Sequence, residues 1–166
     1  WVLENTFPPF IPAGYASWAN DRNDETFSGE GYMQSRPVDG EVLLIPDVVG
    51  KARLDYDMKF TAGGPHYLWV RGSGVHWLSD SVRLGLDFTT NEWGKDLSFT
   101  WTSYKWLRSD KFDVTPGLHT INVWMAEDGV MIDKLIITTD EKYVPVPSDT
   151  KSGVPIAQGP AETERR

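Results

Sequence analysis

From Arg53 to Phe60 charged and apolar side chains alternate without a break, with Arg53, Asp55, Asp57 and Lys59 in one phase and Leu54, Tyr56, Met58 and Phe60 in the other. Successive side chains of an extended chain point to opposite faces, so this stretch is a strand with one buried and one wet face. Most of the remaining sequence obeys the same rule, and helical spacing of apolar residues is nearly absent. Glu41–Ile45, Ala52–Phe60, His66–Arg71, Ser81–Asp87, Leu97–Tyr104, His119–Met125 and Met131–Thr138 alternate or run apolar between clusters of Gly, Pro, Asn and Asp. Short strands at near-regular spacing, with no helix between them, predict an all-β antiparallel sandwich or jelly roll.

The turns have identifiable chemistry. Gly63-Gly64-Pro65 combines permissive dihedrals with a fixed one, and Asp128-Gly129 suits a turn that needs positive φ. Both read as hairpins, which implies antiparallel pairing of the strands they join. Residues Phe7–Glu30 form a long irregular stretch, and loops of that length in a compact domain are usually functional or disordered. Pro, Ser, Thr and Gly become frequent beyond Tyr143, which divides the chain into a domain over 1–143 and an extension or linker over 144–166.

Charge and composition narrow the partners. A net charge of −8 and no cluster of Lys and Arg exclude nucleic acid, whose phosphates must be neutralised. No apolar run reaches the roughly 18 residues of a membrane-spanning helix. Absence of cysteine removes disulfides and thiolate metal sites. Because the chain starts at Trp1 rather than Met, it reads as a segment of a larger parent, one expected to be secreted, whether extracellular, periplasmic or at the cell surface.

Catalytic patterns are missing. There is no Gly-x-Ser-x-Gly elbow, phosphate loop or His-Glu-x-x-His, and His66, His76 and His119 lack ligand spacing. A glycoside hydrolase needs two carboxylates across a cleft, and Asp55 with Asp57 comes nearest, on the wet face of a strand where solvated charge is ordinary. Sugar binding asks instead for exposed aromatic rings that stack on the C–H face of a pyranose, with a few polar groups for the hydroxyls. Eight Trp, six Tyr and seven Phe exceed what a core of this size needs, so some are available for that purpose. Tyr15, Trp18, Trp77, Trp93, Trp101, Tyr104 and Trp106 fall in loops or at strand ends, whereas Trp69 and Trp124 sit inside apolar strands and read as core. Arg36, Arg71, Arg83, Lys105 and Arg108 lie near these aromatics and suit the carboxylate or sulfate of an acidic glycan.

The stretch Pro116-Gly117-Leu118-His119-Thr120 through Ile132-Asp133-Lys134-Leu135-Ile136 resembles the last two strands of carbohydrate-binding modules of families 6 and 35. Tyr67-Leu68-Trp69-Val70-Arg71-Gly72, Asp80-Ser81-Val82, Val2-Leu3-Glu4-Asn5 and Ser28-Gly29-Glu30-Gly31-Tyr32 extend the resemblance over about residues 1–140. The resemblance implies a galactose-binding-like β-sandwich whose loops at one end take the ligand. It implies Trp101 as the stacking residue and a structural calcium, Ca2+, held by Glu4 and Asp133. Two of the family's ligand positions depart from it: Met131 stands where an Asn is usual, and Ser35 or Arg36 where a second aromatic is usual. The expected ligand set is therefore Trp101, Tyr104, Trp106, Trp77, Trp18, Tyr15, Arg36 and Arg71. The function expected is that of a non-catalytic module that targets a larger enzyme to a polysaccharide, an acidic or algal glycan among the candidates. The alternative is a structural or adhesion domain that packs against the catalytic domain of the same parent without binding sugar.

Overall fold

The computed structural model describes residues 1–4, 27–28, 31–36, 52–75, 78–90, 96–101, 103–146 and 163–165. Among these the chain forms two antiparallel sheets and no helix. The six-stranded sheet runs β1 (Val2–Glu4), β2 (Tyr32–Gln34), β10 (Met131–Thr138), β4 (Gly64–Ser73) and β7 (Lys105–Arg108), with β8 (Phe112–Val114) pairing the start of β4. The five-stranded sheet runs β11 (Thr163–Arg165), β3 (Arg53–Phe60), β9 (Gly117–Met125), β5 (Ser81–Leu86) and β6 (Asp96–Ser98).

The period-two pattern decides which side chains meet between the sheets. Leu68 and Val70 of β4 with Ile132 and Ile137 of β10 pack against Val82 and Leu84 of β5, Ile121 and Val123 of β9 and Phe60 of β3, all essentially fully buried. Each such side chain contributes roughly 1.5–3 kcal/mol by leaving water. In β3 the expected faces are realised: Phe60 is buried, Leu54, Tyr56 and Met58 are half-buried against the core, and Asp55, Asp57 and Lys59 are exposed.

Two readings of the sequence need correction. Gly64 and Gly129 do take positive φ, at 106° and 82°, but neither turn makes a hairpin. The strands they join lie in different sheets, so each turn carries the chain across the core instead of back onto its neighbour. Leu97–Tyr104 is also not one strand. It leaves the sheet after Ser98, and the chain enters the opposite sheet only at Lys105. Glu41–Ile45 lies outside the described residues.

Candidate functional site at one end of the sandwich

Four connections meet at the end of the sandwich where β4 finishes. Gly74 N donates to Thr100 O (3.0 Å) and Phe99 N to Asp80 O (2.8 Å), which ties the β6–β7 loop to the segments flanking the β4–β5 loop. Gly74 also lets the two ends of the β4–β5 loop close on each other, because a Cβ there would lie 2.4 Å from the Asp80 Cβ. Ser35 N donates to Val130 O (3.0 Å) and Gly129 N to Ser35 O (2.8 Å), so the exit from β2 is bound to the β9–β10 loop. Asp80 N donates to Glu127 Oε2 (3.0 Å) and Ser79 Oγ to Asp128 Oδ1 (3.3 Å), closing the ring of loops. Beneath them Tyr32, Val75, Tyr104 and Met131 form a small buried cluster with Phe27 packed on it.

The half-buried Trp101 stands on the β6–β7 loop, one residue beyond the carbonyl that Gly74 binds. Arg36, also half-buried, donates from Nε to Gln34 Oε1 (3.3 Å). Burial, then the charge of Glu127 and a hydrogen bond to it, push the Asp80 carboxyl up from 3.8 to about 7. An aromatic ring, a guanidinium and two neighbouring carboxyl groups offer both donors and acceptors, which suits sugar hydroxyls. The same pair is unsuited to glycoside hydrolysis, since carboxyls in hydrogen-bond contact cannot flank a glycosidic bond, for which about 5 Å or more is needed.

Of the residues singled out in the sequence, Trp101 and Arg36 reach this end of the molecule. Trp106, on β7, is half-buried on the outer face of the six-stranded sheet, directly across from Arg71. Two others are corrected. Tyr104 is 2% exposed, and its hydroxyl donates to Met131 Sδ (3.8 Å), so its ring is a plug beneath the loops rather than a stacking surface. Arg71 is 4% exposed, its guanidinium 4.8 Å from the Tyr104 ring centroid and paired with Asp133, so its charge is consumed inside the protein. Trp124 is core at 1% exposure, whereas Trp69 is only half-buried. Arg83 is buried and paired with Asp96, and exposed Arg108 lies over the Tyr67 and Trp69 rings. Tyr15, Trp18, Trp77, Trp93 and His76 lie outside the described residues. Asp80 and Glu127 escaped the sequence reading because single carboxylates 47 residues apart in the chain carry no pattern.

The calcium expectation meets a cation already present. Asp133 is the extra residue of a bulge in β10, and its side chain is fully buried. Its Oδ2 receives Arg71 Nη1, while Ser28 donates to its Oδ1 from the backbone N (2.8 Å) and from Oγ (3.1 Å). A calcium ligand turns its oxygens to the metal, and a guanidinium on the same carboxylate repels a dication. The described residues do not fit a calcium site. Glu4 lies in β1 opposite Tyr32, and its side chain lies outside the description.

Separately, a cleft of about 460 Å³ opens between the sheets at the β1–β2 edge, walled by Leu3, Met33, Tyr56, Met58 and Leu135. Asp133 and Lys134 also line it, so its wall is mixed, polar beside apolar.

The structure aligns with a family 35 carbohydrate-binding module from Clostridium thermocellum at a TM-score of 0.51 and 15% identity, covering 69% of this chain and 82% of that one. The fold is that of a family 35 carbohydrate-binding module. A Podospora anserina GH26-CBM35 β-(1,4)-mannanase aligns at a TM-score of 0.54 and 13% identity, over 75% of this chain and 25% of the enzyme. A family model described as the glycosyl hydrolase family 115 C-terminal domain matches residues 85–147. The uncharacterized protein P23 of Formosa agariphila is 28% identical over 111 residues, 57% of this chain; the aligned part spans 27% of that relative's length.

Proposed function

We propose that the chain is a non-catalytic carbohydrate-binding accessory domain that holds a larger extracellular enzyme on its polysaccharide. The observation that carries this reading is the convergence of four connections at one end of the sandwich, with Trp101 on one of them and Arg36, Asp80 and Glu127 on the others. In this reading Trp101 stacks on a sugar ring, Arg36 donates to hydroxyls or to an acidic substituent, and the Asp80–Glu127 pair accepts and donates. The family 35 fold and the match to a hydrolase C-terminal domain support it.

Native affinity gels containing soluble glucuronoxylan, galactomannan or alginate test the proposal. The wild-type domain is expected to be retarded by at least one of them. Trp101→Ala is expected to weaken that retardation by about tenfold or more, the worth of a lost aromatic stacking contact. Unchanged retardation would remove Trp101 from the site. Failure of every polysaccharide to retard the wild type would leave a structural domain that packs on its neighbour.

A further inference from the structure

Asp80 stands just before β5 and Glu127 just after β9, and the hydrogen bond from Asp80 N to Glu127 Oε2 (3.0 Å) draws the two carboxyls together. Burial and then the charge of Glu127 oppose ionisation of Asp80, which is why its carboxyl is pushed up to about 7. A nearby cation would cancel that opposition. None of the ion pairs among the described residues includes either carboxyl. Arg71 is spent on Asp133 and Arg83 on Asp96, while Arg36 on the exit from β2 donates to Gln34. The buried Asp128 beside Glu127 accepts from Ser79 Oγ (3.3 Å), so it brings a third carboxyl and no counter-charge.

The kind of cation follows from what surrounds the pair. Calcium collects roughly 6–8 oxygens, and among the described residues no three His, Cys, Asp or Glu side chains are placed to hold a metal. An alkylammonium needs less, because its N–H groups bond two carboxylates and turn the rest to water. An aromatic ring stands on the adjoining loop. Phe99 N donates to Asp80 O (2.8 Å) and Thr100 O accepts from Gly74 N (3.0 Å), and the half-buried Trp101 follows directly. A ring and an acidic pair on touching loops suit a ligand that carries a flat C–H face and an ammonium on one molecule.

We infer that the loop site takes an amino sugar, a pyranose whose C–H face lies on Trp101 and whose ammonium bridges Asp80 and Glu127. The inference rests on the carbohydrate-binding reading above and names the sugar class for the same site. Before the sugar arrives, and below about pH 7, a proton on Asp80 relieves the repulsion between the carboxyls. The ammonium takes over that part and the proton passes to solvent, so affinity rises between about pH 5 and about pH 7. From the β9–β10 loop Asp80 meets Glu127 and, through Ser79, Asp128; from the β6–β7 loop it meets Phe99 and from the end of β4 Gly74, neither of them charged. A uronate or sulfate in the same place faces two carboxylates and is rejected.

Calorimetric titration with the glucosamine trimer and the N-acetylglucosamine trimer separates charge from shape, because acetylation of the nitrogen is all that distinguishes them. In EDTA at about pH 6 the wild type is expected to bind the glucosamine trimer about tenfold or more tightly than its acetylated counterpart. Asp80→Asn and Glu127→Gln should each weaken it about tenfold, with thermal melts as a check on folding. Asp57→Asn removes the same charge from the wet face of β3 and should stay within about twofold, which sets the site apart from the general pull of a chain with net charge −8 on a cation. Titrations in two buffers of different protonation enthalpy should show a proton released by the wild type and none by Asp80→Asn. Equal affinity for the two trimers, or binding of neither while a polysaccharide gel still retards the wild type, overturns this inference and leaves the carbohydrate-binding reading standing. Equal losses in Asp57→Asn and Glu127→Gln assign the attraction to net charge and overturn it. Binding that vanishes in EDTA and returns with calcium assigns the pair to a metal and overturns it, and failure of every trimer and every gel removes both readings.

Discussion

The side chain of Arg71 is 5% exposed and that of Asp133 0%, so neither charge has water as an alternative partner. Removing one member of such a pair strands the other in a poorly solvating interior, at a cost of about 3–5 kcal/mol. Arg71→Ala is accordingly expected to lower the urea midpoint sharply, whereas Arg71→Met with Asp133→Leu should recover most of the loss, since two apolar groups need no counter-charge. A measured cost below about 1 kcal/mol for Arg71→Ala would mean that water or Ser28 already satisfies Asp133. This pair also shows what a sequence conceals at the scale of one residue. Arg71 and Tyr104 read as surface groups because residue type and local spacing carry nothing about a partner 62 positions away or a ring that closes over it. Met131 was legible as a departure from the ligand set of similar modules, and its burial under the Tyr104 hydroxyl gives that departure a structural role.

Among the elements, β3 and β10 were readable almost to the residue, because alternation and continuous apolar runs are properties of the strand itself. The short β7 and β8 were not: four and three residues offer too little period to recognise. Turn chemistry told where the chain reverses and failed to tell which strand it pairs with, since Gly64 and Gly129 supply the same positive φ to a crossover as to a hairpin. The Leu86–Thr89 reversal, the one two-residue hairpin turn noted among the described residues, has no Gly to announce it. Close packing of β5 on β9 yields a prediction at this scale. A Cβ on Gly85 would come 2.1 Å from Trp124 Cζ3 and 2.5 Å from Thr89 O, and the backbone oxygen cannot swing aside. Gly85→Ala should destabilise by at least the roughly 1–3 kcal/mol of an overpacked core, seen as a lower thermal midpoint. Unchanged stability would show that the Trp124 ring has room to move.

For the molecule as a whole, the fold class was legible because two-sheet architecture follows from the sum of many strand patterns. The ring of loops was only partly so, since it depends on which ends of the sandwich those strands bring together. The acidic balance of −8 makes stability sensitive to pH, and one group lets the sign be worked out. Asp80 titrates at about 7 in the folded chain and at 3.8 as an unperturbed carboxyl, because burial and Glu127 disfavour its charged form. Between those values the folded state holds a proton that the unfolded state has released, so raising the pH favours unfolding. This contribution is whole below about pH 3.8, declines through the interval and is gone above about 7. Carboxylates held by ion pairs in a folded chain act in the opposite sense at the acid end, so the decline should be isolated by difference. Between pH 5 and pH 8 the wild-type thermal midpoint is expected to fall relative to that of Asp80→Asn, which cannot ionise yet keeps the shape and the hydrogen bond to Glu127. Parallel curves for the two proteins would mean that Asp80 is already ionised at pH 5. A widening gap would make the contact between the segment before β5 and the β9–β10 loop, and with it that end of the sandwich, looser in neutral than in mildly acid surroundings.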